Sequence, residues 1–410
     1  MKSDAIIVGA ELDGLVAAMR LVENGYSVRL FSNGASSLHY APGGIHVLAR
    51  IASGEVSIDP FDAIAELDAS HPYRKIGIDQ LKQAFRWYTD AVAKMRQPVE
   101  AGNANQDAVS AAGLRIPVYA ISEHQATFEK LAGKRAAIVC FDGHRDSPTE
   151  LLMDGLAERG VTASRVEVEC PGTVPENAAI ARTFDTMESL DSYFTTVRGQ
   201  IPASTDIIVF PAVMGLHNFQ HVLATARRVI RIPCVEVPTL PPSLPGMRLE
   251  FALRDHLKNT GVIFHTGAFP IAHSVDEDGC NSLFDNRGRC YQAATVIVSS
   301  GGVLMGGLDV DSHGLIHETA LGLDVFQTCP LEAGGVVESL DALHTTGIET
   351  DSALRPQSGG LGRFRNVFVT GRTLAHWNPA QEGSSEGVCI ATGWVAAESA
   401  RSYLETKNAA

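Results

Sequence analysis

The residues most open to chemistry sit in one turn near the start of the chain, Val8-Gly9-Ala10-Glu11-Leu12-Asp13-Gly14. Gly9 and Gly14 occupy the first and third positions of a G-x-G-x-x-G turn, in which bare backbone meets a pyrophosphate at a helix N-terminus. Glu11 stands where the middle glycine belongs. A side chain there obstructs the backbone approach, and a carboxylate repels phosphate. The acidic residue expected about 20 positions further on, for a ribose hydroxyl, is also missing, since the next apolar run ends Arg29-Leu30-Phe31-Ser32-Asn33. The turn supports a dinucleotide-binding fold more strongly than it supports the ligand.

Other residues allow two readings each. Gly301 and Gly302 follow the apolar run Ala293–Ser299, as a backbone approach to the dinucleotide or as a tight strand exit. Gly371 ends the run Asn366–Thr370, either close to a cofactor or as a plain turn. Gly383 and Gly387 flank the start of the last predicted helix. Its unpaired amides can stabilise negative charge at a flavin ring edge, or the glycines merely permit the turn. Arg248 and Arg355 adjoin proline-fixed segments and suit bidentate contact to phosphate or carboxylate; the alternative is a structural pair with one of 47 acidic residues. His39 and His376 could move protons or be satisfied by backbone groups. Cys389 could be activated by a helix dipole or simply packed. No Ser–His–Asp arrangement, metal-ligand cluster or P-loop is legible.

These residues need a frame. Asp4–Gly9 reads as a buried strand, Asp13–Asn24 as an amphipathic helix closed by Gly25, and Tyr26–Phe31 as a second strand. Helices are predicted over Pro60–Asp68 and Asp79–Arg96, and the polar stretch Glu100–Gly113 reads as a loop or flap. From Arg135 to Phe210 strand and helix alternate, a second α/β region. Helix Leu249–Asn259, strands Val262–His265, Ala293–Ser299 and Asn366–Thr370, and a helix from Ser385 to Glu405 then return to the first fold. The class is α/β: a Rossmann-like FAD/NAD(P)-binding fold from residues 1–60 plus 245–410, with an inserted α/β domain at 61–244.

Composition narrows the function classes. A net charge of −14 offers no basic face to nucleic acid and suits an anionic membrane poorly. Apolar runs are strand-sized, short of the ~20 residues of a span, and the start of the chain does not read as a signal peptide. The seven cysteines (Cys140, Cys170, Cys234, Cys280, Cys290, Cys329, Cys389) form no CxxC, so neither zinc nor an iron–sulfur cluster is encoded and reduced, cytoplasmic thiols are expected.

Several runs resemble one family, the B-type subunit of anaerobic glycerol-3-phosphate dehydrogenase. They include Ser37-Leu38-His39 with Gly43-Gly44, Val237-Pro238-Thr239-Leu240-Pro241-Pro242-Ser243 followed by Gly246-Met247-Arg248-Leu249, and Ser299-Ser300-Gly301-Gly302 with Gly306-Gly307-Leu308. Further runs are Leu321–Gln327, Asp351 with Leu354-Arg355-Pro356, and Asn378–Gly383 with Gly387-Val388-Cys389. The Thr-Leu-Pro-Pro-Ser run with Arg248 behind it is the most specific. The resemblance implies a flavoprotein subunit that binds FMN or FAD and works beside an FAD-bearing catalytic subunit that oxidises sn-glycerol 3-phosphate. An iron–sulfur subunit would pass electrons to quinone, so any membrane contact comes through partners. The sequence departs from the family at Glu11 and at Ser384-Ser385-Glu386, where glycines are expected. Two other readings stand beside it: a scaffold subunit without flavin, and a stand-alone flavin oxidoreductase acting on another small anion.

Overall fold

The run Ala5-Ile6-Ile7-Val8 is apolar at every position, the pattern of a strand covered on both faces, and it lies within a seven-stranded sheet. A computed structural model describes residues 2–51, 53–276, 279–328, 330–331, 336–357 and 364–409. Strand Lys2–Val8 runs parallel to Val28–Ser32 on one side and Cys290–Val298 on the other, with Ile7 opposite both Leu30 and Ile297. Ile263–Thr266 extends the parallel set, and Val367–Val369 joins the carboxyl half of Cys290–Val298. The antiparallel strands Pro270–Asp276 and Gly279–Asp285 complete the sheet. Helix Leu12–Glu23 connects the first two strands, buries Leu15, Val16 and Met19, and packs on the last helix, Ser385–Ala409.

The chain divides into two compact units. Unit 1 comprises Met1–Ser37, His46–Arg96 and Ala252–Ala410, and unit 2 comprises Leu38–Ile45 and Gln97–Phe251. The expected division differs from this at three places: residues 61–96 fall in unit 1, and residues 38–45 and 245–251 fall in unit 2, the first being the largest shift. The reason is packing, since Leu81, Phe85 and Tyr88 of helix Ile78–Lys94 are buried and that helix contacts the last helix.

Unit 2 is built on four parallel strands in the order Thr162–Val168, Arg135–Phe141, Ile207–Pro211, Cys234–Val237. Both faces are covered, one around Phe184, Phe194 and Phe210, the other around Leu131, Ile138 and Leu156. Glu100–Gly113 is not a free loop: Glu100–Val109 pairs antiparallel with Arg115–Ile121. Most of that strand is partly exposed, so backbone pairing holds it and no apolar alternation betrays it.

Among the described residues no helix is long and apolar enough to cross a membrane. The described cysteines are free thiols; Cys329 lies outside the described residues.

Candidate functional site

A cavity of about 350 Å³ opens in unit 1 where Val8, Phe31 and Ser300 mark the carboxyl ends of three parallel strands. Open α/β sheets bind ligands at this end, and the volume lies within the range of ligand pockets. Gly9 lines it at φ 108°. A Cβ at that position overlaps the Ser299 carbonyl oxygen, so only glycine lets the turn pass beneath the next strand end. Gly9→Ala is expected to lower the melting temperature and the bound flavin together, by about 1–3 kcal/mol or more of strain. Thermal unfolding and the flavin absorbance of the purified variant check both, and an unchanged protein refutes the assignment.

Glu11 also lines the cavity. It occupies the N-cap of helix Leu12–Glu23 in extended conformation but makes no cap bond. Its carboxyl turns instead to Ser37, accepting from the backbone N–H at 3.0 Å and from the hydroxyl. Burial, partly offset by those hydrogen bonds, pushes the Glu11 carboxyl up to about 7. Asp13 is buried behind it, accepting from the Thr370 hydroxyl at 2.6 Å, and burial raises its pKa too.

The remaining glycines divide. Gly301 follows the lining residue Ser300, and an added Cβ there meets Met305 at 2.7 Å and Glu11 Cγ at 3.0 Å. Gly14 packs on Gly9 O and Ser299, and Gly302 lies on Arg372 O. Gly371 faces the Asp13 carboxyl, Gly383 faces Ala49, and Gly387 faces His46 and Tyr73. These last three serve close packing of the chain, and of the expected cofactor contacts only Gly9 and Glu11 are among the cavity's lining residues. Glu386, in the place of an expected glycine, is buried with its carboxylate 2.7 Å from His46 Nδ1. Burial pushes Glu386 up, but His46 and the hydrogen bonds outweigh it and hold the pKa below its usual value.

Each of the four candidate catalytic side chains stands against a carboxylate. Arg248 is buried in unit 2, donating through Nη1 and Nη2 to Glu236 at 2.6 and 3.0 Å and through Nε to Gly215 O at 2.8 Å. Phe219 covers its guanidinium at 4.5 Å. That spends the fork on structure, so the anion-holding role is corrected. Arg355 is half-exposed and likewise spent, its Nε and Nη2 lying 2.9 and 2.8 Å from Asp351. His376, at φ 68°, lies 2.7 Å from Glu349. His39 Nε2 lies 3.0 Å from Glu250 without hydrogen-bond alignment. Cys389 is buried and its thiol is pushed well up by that burial, so packing is its role.

Sequence reasoning missed much of the cavity wall, notably Ala268, Phe269 and Pro270. It also missed Ser32, which stands where a ribose-binding acid was expected. The Ser32 hydroxyl accepts from Arg254 at 3.1 Å and donates to Gly34 O at 2.8 Å.

The family described as FAD binding domain matches residues 4–388. The chain is 27% identical to a Vibrio cholerae protein named as the B-type subunit of anaerobic glycerol-3-phosphate dehydrogenase, over 99% of this chain and 98% of that one. A Yersinia pestis protein of the same name is 28% identical, over 97% and 98%. Among solved structures, the open conformation of a flavocytochrome c3 fumarate reductase aligns with a TM-score of 0.46 at 9% identity, covering 98% of this chain and 78% of that one. The glycine turn, the uncapped helix start and the apolar Phe31 and Phe269 fit the adenosine and pyrophosphate of FAD. Glu11 fits beside a phosphate in its protonated form, which its burial favours. The chain belongs to the FAD binding domain family, a flavin-binding oxidoreductase similar along almost its whole length to proteins named as the B-type subunit of anaerobic glycerol-3-phosphate dehydrogenase.

Proposed function

We propose that this chain is the B-type flavoprotein subunit of an anaerobic-type complex that oxidises sn-glycerol 3-phosphate and reduces quinone. The reading rests on one observation above others: the likeness to relatives of that name runs from end to end. Bound FAD supplies the two-electron acceptor chemistry. Gly9 gives the cofactor bare backbone, Gly301 leaves room for the lining residues Met305 and Glu11, and Glu11 offers a hydroxyl to a phosphate oxygen while it is protonated. The sequence holds no cysteine cluster for onward electron transfer, so the complex needs an iron–sulfur subunit for that step and an FAD-bearing catalytic subunit for substrate. Membrane contact then comes through those partners.

Two measurements test this. Mass spectrometry of the released cofactor should find FAD, where FMN is the alternative and no flavin leaves a scaffold subunit. The isolated chain should oxidise little or no glycerol 3-phosphate with an artificial acceptor. Robust turnover by the chain alone overturns the accessory-subunit reading.

A further inference from the structure

We propose that unit 2 carries an anion site of its own, shaped for a small phosphorylated molecule. Lys130 and Lys134 flank the turn between helix Phe128–Leu131 and strand Arg135–Phe141. Arg227 and Arg231 lie one helical turn apart at the end of helix Phe219–Ile230. Strand Ile207–Pro211 runs parallel between Arg135–Phe141 and Cys234–Val237. That order gathers both cation pairs at the amino ends of the strands, around a cleft of about 470 Å³. Its apolar floor includes Ile207 and Ile232, and no carboxylate lines it. In a chain of net charge −14, such a gathering runs against composition.

Nearby acids offset only part of the charge. Glu123 lies 3.7 Å from Arg227 Nη1, and Glu100 and Glu129 also act on Lys130. Asp206 accepts three bonds of 2.9 Å from Arg135 and also feels the Lys134 charge. Cations at helix C-termini are ordinary, and that covers Lys130, Arg227 and the C-cap Arg231. Arg227 donates to Cys234 O at 3.0 and 3.3 Å, and Lys130 donates to the carbonyls of Glu123 and Gln125 at 2.8 and 2.9 Å. It does not explain Lys134, which precedes a strand, or the backbone that Arg231 adopts. Arg231 is exposed and left-handed at φ 62°, a helix-end conformation that ordinarily falls to glycine. An arginine there sacrifices backbone comfort and brings a guanidinium to the cleft. Neither Lys134 nor Arg231 makes a side-chain hydrogen bond or ion pair among the described residues. Two cations fixed by carbonyls and two that make no side-chain hydrogen bond among the described residues, around an apolar floor, suit a phosphoryl dianion on a small organic body.

The probe is inorganic pyrophosphate, titrated by calorimetry at low salt into the FAD-saturated full chain, so that the cavity of unit 1 is occupied. About one site per chain is expected, and affinity should fall tenfold or more in Arg231→Gly combined with Lys134→Gln. Arg231→Gly alone should melt no lower than the parent, because glycine accepts the left-handed backbone. No heat of binding in the parent, or the same dissociation constant in parent and double variant, overturns the proposal.

Discussion

Replacing Arg248 by methionine is expected to cost about 3–5 kcal/mol of stability, because it strands Glu236 as an uncompensated buried charge. Glu236 is 1% exposed and, among the described residues, keeps one hydrogen bond, from the Met214 N–H at 3.1 Å, once the guanidinium is gone. Lysine should not rescue it. A single ammonium cannot reproduce two parallel bonds to Glu236, a third to Gly215 O and a flat face against Phe219. Adding Glu236→Leu to Arg248→Met should recover most of the loss, as removal of both charges often does. Urea unfolding of the two single variants and the double one checks this. A loss below about 1 kcal/mol in Arg248→Met would mean that the pair is not closed to water, and the anion-holding reading would return.

The second large effect is a pH dependence of cofactor affinity. Below about 7 the Glu11 carboxyl is mostly neutral and can stand beside a phosphate; above it, the ionised form repels one. Each further pH unit should then raise the FAD dissociation constant by up to about tenfold, the limit for one linked proton. Asp13 and Arg372 also act on Glu11, in opposite senses, and Asp13 adds to its upward shift. Glu11→Gln should remove the dependence, and Glu11→Gly should raise flavin content at every pH. The cofactor-free protein shows the same sign. The folded pKa is raised above 4.5, so this group's contribution is complete below that pH and declines up to about 7. Equilibrium dialysis from pH 6 to 9 decides the matter: parallel affinities for parent and Glu11→Gln would mean that the phosphate lies elsewhere.

How much of this was legible in the sequence depended on distance along the chain. The first strand–helix–strand unit was readable because its period, its closing Gly25 and its turn all lie within one short stretch. The defect at Glu11 was visible for the same reason. Its remedy was not, since Ser37 reaches it only after the fold closes. The Arg355–Asp351 pair did carry a local signal, an opposite charge four residues away. The pairs of His39 with Glu250 and His376 with Glu349 carried none. The strand Glu100–Val109 hid behind its polar composition. The cavity wall at Ala268–Pro270 arrives from a part of the chain with no motif to mark it.

The interleaving of the two units has a consequence for synthesis. Apart from Leu38–Ile45, unit 2 is one continuous stretch, Gln97–Phe251, so nearly all its contacts are present once that stretch has left the ribosome. Unit 1 cannot follow the same schedule. Its first strand waits for Cys290–Val298, and its first helix for Ser385–Ala409, where Gly393 lies against the Asp13 backbone. During translation that strand can pair early with Val28–Ser32, but its other edge must stay open until residue 298 is made, exposed to the hazards of late-closing sheets. Loss of the final helix alone would strip unit 1 of its closing element, however far from the cofactor cavity the break falls.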